Sequence, residues 1–521
     1  MLLHQHLENH ASTQPKFLFS EFERKTLTYK EANDLANQFA NSLLNEGLVK
    51  GDRFTFLAKN CSEMAVMYYG SSKVGIVPVP LNYRLADKEW EYIINDSESK
   101  LIIVRGDEYV ARVTDNKVNL ENIKKYISIS SSKNDDSWND FYEWVSDSSK
   151  GSPNSEITEE DDVYQMYTSG TTGHPKGAII LQRNVAGNIR QYLTSLTLPV
   201  PSRTLLVAPM YHAAAMINLA GCIAIGGTII VQEDFVPADV VSCLANERIT
   251  HTVLVPAMIQ ACLVAVPGVE KNSYSDLDQI HYGASPIAPE TLRKAMEVFK
   301  CKFGQGFGMT ETVAVLCSLS TDDHEKAVKD KPQLLKSCGK PLVDTIIEIR
   351  DRNDKALPIG EIGQICAKGP QIMKGYWKKE EETQKALKGG WMHTGDAGYM
   401  DEEGYVYIQD RIKDMIVSGG ENIYSTEVEA VLFAHPNVVD AAVIGVPDDQ
   451  FGEVVKACIV LKEGSLISEQ EIIDFCKDKI ASYKKPRSID FIKEVPRNAS
   501  GKVLKKQLRE PYWKGRDRQV S

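Results

Sequence analysis

The chain has 521 residues, 43% of them hydrophobic and 25% charged, with a formal net charge of −11. That length exceeds one compact core and calls for two or more structural units. The acidic balance speaks against sequence-independent nucleic-acid binding, which needs a basic surface.

No run of about 18 apolar residues occurs, so no membrane-spanning helix is expected, and the polar N-terminus lacks the apolar core of a signal peptide. The ten cysteines, Cys61, Cys222, Cys243, Cys262, Cys301, Cys317, Cys338, Cys366, Cys458 and Cys476, are scattered, with no CxxC pair. They read as reduced thiols of a cytoplasmic protein rather than as a zinc site or disulfide framework.

In chain order, Ser128 to Asp162 is rich in Ser, Asp, Asn and Glu and reads as a polar surface excursion. A β-prone run from Val163 to Tyr167 follows. Strands are predicted at 204–208, 227–232, 251–255 and 278–282, and helices at 238–248 and 289–299. Pro289 suits a first helical turn, where its missing N–H costs nothing. This alternation predicts an α/β fold of parallel-rich sheets flanked by helices, with ligands at the loops leaving the strand C-termini. The last hundred residues change pattern: strands at 438–445, 454–461 and 488–492 and an amphipathic helix at 469–480 make a small α+β unit. The polar run Asp410–Asp414 marks the boundary, giving a large domain of residues 1–410 and a small one of 411–521.

The strongest motif follows the 163–167 strand: Thr168, Ser169, Gly170, Thr171, Thr172, Gly173, His174, Pro175, Lys176, Gly177. Glycines let backbone N–H groups approach phosphate oxygens, hydroxyls donate to them, and a lysine supplies charge. The Walker spacing fails, since Pro175 stands where its second glycine belongs. A polar loop without ligand is the plain alternative. The second motif runs Gly304, Gln305, Gly306, Phe307, Gly308, Met309, Thr310, Glu311. It does not fit the dinucleotide fingerprint, but Thr310 and Glu311 offer a phosphate donor and a carboxylate for Mg²⁺. His393-Thr394-Gly395-Asp396 sets a carboxylate on a tight turn, which alone is as well explained by local capping. Pro496 to Lys502 sets one lysine after a turn, suited to charge that builds at an α-phosphate, or else simply solvated.

Together, in order and spacing, YTSGTTGHPKG, GFGMTE, HTGD, DRIKDMIVSGGENIY and PRNASGK resemble one family over nearly the whole chain. It is the adenylate-forming superfamily of acyl-CoA synthetases, firefly luciferase and nonribosomal adenylation domains, and this sequence looks most like its fatty acyl-CoA synthetases. The resemblance implies an ATP-dependent, AMP-forming acyl-CoA synthetase with ATP, Mg²⁺ and coenzyme A as co-substrates and cofactor. Thr168 to Lys176 would hold the β- and γ-phosphates. Gly283, Ala284 and Ser285 with Gln305, Gly306 and Phe307 would line the adenine slot. Thr310 would meet the α-phosphate, and Glu311 with Thr171 the metal. Asp396 and Arg411 would take the ribose, Lys502 would bridge carboxylate and α-phosphate, and Lys413 would be the hinge of a mobile C-terminal domain. Ser418, Gly419, Gly420 and Glu421 would face the site in the thioester step.

Acyl-pocket candidates by the same resemblance are His212, Met216, Val255, Phe307, Met309 and Val313. They are mostly apolar and hold no cation for a second carboxylate. His212 reads as a pocket gate or an ordinary buried histidine. Val236 stands where amino-acid-activating relatives carry Asp. The implied substrate is a small monocarboxylic acid, a fatty acid first. An aryl-acid CoA ligase, or an adenylating enzyme that loads another acceptor, stays open. So does, remotely, a nucleotide sensor without turnover. With the chain ending about twenty residues past Lys502, no fused carrier domain is expected. A homodimer and peripheral membrane contact stay open.

Overall fold

The computed structural model describes residues 1–132, 136–168, 174–196, 198–285, 287–419, 421–465, 467–477, 479–497 and 503–514. They form two compact units: Met1–Ile346 with Lys368–Met392, and Ile347–Ala367 with His393–Ser521. The division drawn from the sequence at Asp410/Arg411 falls inside the second unit. There Val406–Arg411 pairs antiparallel with Met392–Met400, in a four-stranded sheet completed by Gly363–Lys368 and Ile346–Arg350. Long-range strand pairing, not the charge run, decides which residues cluster.

The first unit holds three sheets. The largest has nine strands. Its centre is parallel: Lys302–Phe307, Gln279–Gly283, His251–Leu254, Arg203–Leu206, Thr228–Val231 and Leu18–Phe22 lie side by side. These short apolar strands alternate with helices such as Ala213–Ala224, Pro237–Asn246 and Pro289–Phe299. Burial on both faces suits the Ile, Leu and Val of the inner strands Arg203–Leu206, Thr228–Val231 and His251–Leu254. The predicted helix 289–299 is found at Pro289–Phe299, with Pro289 in its first turn.

A second sheet pairs Val77–Leu81, Arg53–Leu57, Leu101–Arg105, Lys125–Ile129 and Asn139–Asp140, all parallel. The polar excursion expected from Ser128 to Asp162 therefore needs correction. Its middle supplies the edge strand Asn139–Asp140 and the helix Phe141–Ser146, which buries Phe141 and Val145. Two apolar side chains in a polar stretch suffice to dock a short amphipathic helix.

The third sheet has three antiparallel strands, Asp162–Thr168, Lys176–Leu181 and Gly375–Tyr376. The second unit adds a five-stranded sheet with Val438–Asp448, Gly452–Leu461 and Ser488–Phe491, as the sequence pattern suggested. Among the described residues no helix is long and apolar enough to cross a membrane.

Candidate active site

The phosphate-loop motif caps a β-hairpin. Thr168 and Lys176 are register partners, as are Tyr167 and Gly177, so the two ends of the motif are pinned side by side. Ser169, Gly170, Thr171, Thr172 and Gly173 lie outside the described residues. A side chain at Gly177 would have to displace its neighbours, because a Cβ there would sit 2.5 Å from the Gln165 amide nitrogen and 3.0 Å from the Tyr167 ring. The Tyr167 hydroxyl donates to Asp96 at 2.7 Å. The Tyr92 ring stacks on His174 at 4.4 Å between centroids. Both flanks of the loop are thus packed against the Asp87–Asp96 helix.

The proposed adenine residues meet at the C-terminal ends of two parallel strands. Gly283 is the register partner of Gly306, and Tyr282 of Gln305. A Cβ on Gly283 would lie 2.4 Å from the Gly306 carbonyl oxygen. Ala284 takes a left-handed backbone, φ 66°, which turns the chain out of the sheet before Ser285. The Gln305 side-chain oxygen is buried without a hydrogen-bond partner among the described residues, an acceptor free for a ligand donor.

Thr310–Thr312 forms a single 3₁₀ turn after this strand. Glu311 is only 5% exposed. Its carboxylate accepts from the Tyr376 hydroxyl at 2.8 Å, and its main-chain carbonyl accepts from Met373 N–H at 2.9 Å. The Lys176 ammonium lies 5.2 Å from the centroid of the Tyr376 ring. Burial, with the Glu311 charge beside it, holds the Tyr376 phenol well above its ordinary pKa, so it stays a donor. Among the described residues no group of three or more His, Cys, Asp or Glu is placed to hold a metal ion. One buried carboxylate beside a phosphate-loop lysine suits a hard cation that takes most of its ligands from substrate phosphates and water. Mg²⁺ behaves in this way.

At the acyl positions, His212 caps the helix Ala213–Ala224, and Met216 follows one turn on. Burial, helped by Arg84, pushes the His212 imidazole down to about 4, so it is neutral. Its Nε2 is buried without a partner among the described residues. Val255 precedes the helix Pro256–Ala265. Phe307 ends its strand, Met309 precedes the Thr310 turn, and Val313 follows it fully buried at φ 61°.

In the second unit, Asp396 and Arg411 are cross-strand partners joined by a 2.6 Å ion pair. Thr394 orients Asp396: its hydroxyl accepts from Asp396 N–H at 3.1 Å and donates to the Ile365 carbonyl at 2.8 Å. The Lys413 carbonyl accepts from Arg509 at 3.2 Å. Ser418 and Glu421 pair across a tight hairpin, where Gly419 has φ 58° and donates to the Phe451 carbonyl at 2.8 Å. Gly420 and Lys502 lie outside the described residues. Behind this hairpin Lys505 pairs with Glu429 at 2.8 Å and touches the Ser425 hydroxyl, while Ser425 donates to Asp410. Burial works against the Lys505 charge, but Glu429 and Asp410 outweigh it and hold its pKa up.

Sequence reasoning missed Tyr376 and Asp96. Tyr376 sits in an ordinary Gly-Tyr-Trp run and Asp96 at a helix end, and only the folded pairing reveals what each touches.

A β-hairpin that carries the glycine- and hydroxyl-rich motif, close-packed strand termini and a buried carboxylate are features that a nucleotide-handling α/β enzyme would need. Residues 7–377 match the AMP-binding enzyme family, and residues 427–502 match the AMP-binding enzyme C-terminal domain. The fatty acid–[acyl-carrier-protein] ligase ScoC of Streptomyces coeruleorubidus is 33% identical, over 98% of this chain and 96% of its own. The long-chain-fatty-acid–CoA ligase FadD13 of Mycobacterium tuberculosis is 34% identical over 93% of each chain. The solved o-succinylbenzoate CoA synthetase MenE of Bacillus subtilis, in complex with its acyl-adenylate intermediate, shares 29% identity at a TM-score of 0.84. That match covers 96% of this chain and 97% of that one. The chain therefore belongs to the AMP-binding enzyme family and is an adenylate-forming acid–thiol ligase of the acyl- and aryl-CoA ligase type.

Proposed function

We propose that this enzyme is an ATP-dependent, AMP-forming acyl-CoA synthetase acting on a monocarboxylic acid, with fatty acids as its substrate class. In the first step a carboxylate oxygen attacks the α-phosphorus. A C–O–P linkage forms, and the bond to the β-phosphate oxygen breaks, releasing pyrophosphate. In the second, the CoA sulfur attacks the acyl carbonyl, its proton passes to solvent, and AMP leaves with the C–O bond electrons.

Two anions must meet in the first step, so the donors matter most there. Lys176 and the loop from Thr168 take the β- and γ-phosphates, and Thr310 the α-phosphate. Gly283–Ser285 and Gln305–Phe307 take the adenine, and Asp396 with Arg411 the ribose. Glu311, with Thr171, would hold Mg²⁺, which supplies screening of the phosphate charge. Lys502 bridges the carboxylate and α-phosphate. Lys413 is the hinge at which the C-terminal domain exchanges Lys502 for Ser418–Glu421 in the second step.

The choice of acid rests on the chemistry of the candidate residues: His212, held neutral by burial, and the apolar Met216, Val255, Met309 and Val313. None of these offers charge to a second carboxylate. Kinship with FadD13 and ScoC, whose names specify fatty acids, supports the same class. ScoC also favours a second reading, in which a carrier-protein thiol replaces CoA. Among the described residues no cysteine is paired in a disulfide, which suits the reducing cytoplasm, where CoA thiol persists.

The test is AMP formation with ATP and Mg²⁺ across straight-chain, aryl and dicarboxylic acids, with CoA, with a phosphopantetheinylated carrier protein, or with neither. Turnover that needs CoA and peaks on a straight-chain acid is expected. Turnover with the carrier protein alone selects the second reading, and a peak on an aryl or dicarboxylic acid defeats the fatty-acid assignment.

A further inference from the structure

Lys176 and Glu311 come from distant parts of the sequence, yet one side chain touches both. Tyr376 lies on the short strand Gly375–Tyr376, where it is the register partner of Ala178 on the Lys176 strand. The main chain fixes it on both sides. Its N–H donates to the Thr383 hydroxyl at 2.9 Å, and its neighbour Trp377 donates N–H to the Gly177 carbonyl at 2.8 Å. Met373, on the approach to this strand, holds the main chain of Glu311. From this seat the Tyr376 hydroxyl donates 2.8 Å to Glu311 Oε1, and the ring face meets the Lys176 ammonium at 5.2 Å.

We propose that Tyr376 is a positioning residue for the metal–triphosphate: its hydroxyl orients the Glu311 carboxylate and its ring seats Lys176, so that one side chain sets the spacing of the two charges. The proposal rests on the roles given above to Glu311 and Lys176. A phenol donating to one carboxylate oxygen fixes the carboxylate plane and leaves the other oxygen for a cation. Outer partners of this kind are worth roughly 10–100-fold in metal affinity. The ring contributes separately, because an ammonium over an aromatic face is held by the ring quadrupole.

The two contributions separate by substitution. Tyr376→Phe keeps the ring and deletes the donor, whereas Tyr376→Leu deletes both. ATP binding is measured by calorimetry with no acid or CoA, in the presence of Mg²⁺ and of EDTA, and the Mg²⁺ half-saturation for AMP formation is measured alongside. In Tyr376→Phe, the gain in ATP affinity that Mg²⁺ confers on the wild type should shrink roughly tenfold or more, with metal-free binding unchanged and the Mg²⁺ half-saturation raised to match. In Tyr376→Leu, metal-free binding should weaken as well. A wild-type Mg²⁺ gain in Tyr376→Phe, or equal losses with and without metal in both variants, overturns the proposal. A wild-type protein that binds ATP without any Mg²⁺ gain instead overturns the reading of Glu311 on which it rests.

Discussion

Asp96 touches the phosphate hairpin from outside. Its carboxylate accepts from the Tyr167 hydroxyl at 2.7 Å and from the Tyr92 hydroxyl at 3.3 Å, and its main-chain carbonyl accepts from the Trp377 indole at 2.9 Å. Tyr92 in turn stacks on His174, so one residue braces both flanks of the loop. Burial and the Asp96 charge hold the Tyr167 phenol far above its usual pKa, which keeps it a donor. Asp96→Ala leaves that phenol largely buried without its charged acceptor, at a cost of about 1.5–3 kcal/mol. Asp96→Asn should cost less, since an amide oxygen still accepts. Denaturant midpoints for the two variants check this, and equal, negligible losses would show that the brace contributes nothing. The contacts of Asp96 with Tyr167 and Trp377 were not legible in the sequence, because each joins residues far apart along the chain. No local periodicity records such a contact.

At the scale of elements, the local pattern was legible. Expected strands at 251–255 and 278–282 are found at His251–Leu254 and Gln279–Gly283, since short runs with β-prone residues between turns have few alternatives in an α/β chain. The motifs also fall at strand ends, where the proposed function puts its ligand groups. What local pattern did not reveal is register. The pairing of Gly283 with Gly306 makes the glycine-rich turns a steric requirement: the strand termini approach so closely that a methyl group would meet a carbonyl oxygen at 2.4 Å. Gly283→Ala must push the strands apart, and overpacking of this kind costs about 1–3 kcal/mol. A lowered melting temperature together with a several-fold higher KM for ATP is expected. A variant with wild-type values for both would show that the turn yields freely. The sheet that brings Asp396 to Arg411 was hidden for the same reason, behind a charge run read as a domain boundary.

Across the molecule, buried histidines fall mostly in the first unit; in the second, His435 is buried and its imidazole is also held down. His4, His212, His251, His281 and His324 all lie in the first, and burial holds each imidazole down: His4, His212 and His324 to about 4, His251 to about 3, His281 well below its usual value. His251 and His281 share a 3.2 Å hydrogen bond inside the large sheet. Each group binds its proton more readily unfolded than folded. Stability is therefore complete above the unfolded pKa near 6.5 and is lost as pH falls from there towards 4. The loss is on the order of 1–2 kcal/mol per histidine by pH 5. In calorimetric scans at pH 7.5 and 5, the transition of the first unit should drop further than that of the second. A parallel shift of both would mean these imidazoles are already charged in the folded state. The three-stranded sheet carries a different consequence. The chain leaves it at Leu181 and returns only at Gly375, and His212, Met216 and Val255 all belong to the intervening excursion. The same excursion carries Gly283, Gln305, Thr310 and Glu311, so the residues proposed for the acid and most of those proposed for the nucleotide are inherited together. A chimera builder who exchanges the whole stretch therefore exchanges both sets of candidates at once, and retuning the acid alone calls for single substitutions at positions such as His212, Met216 and Val255.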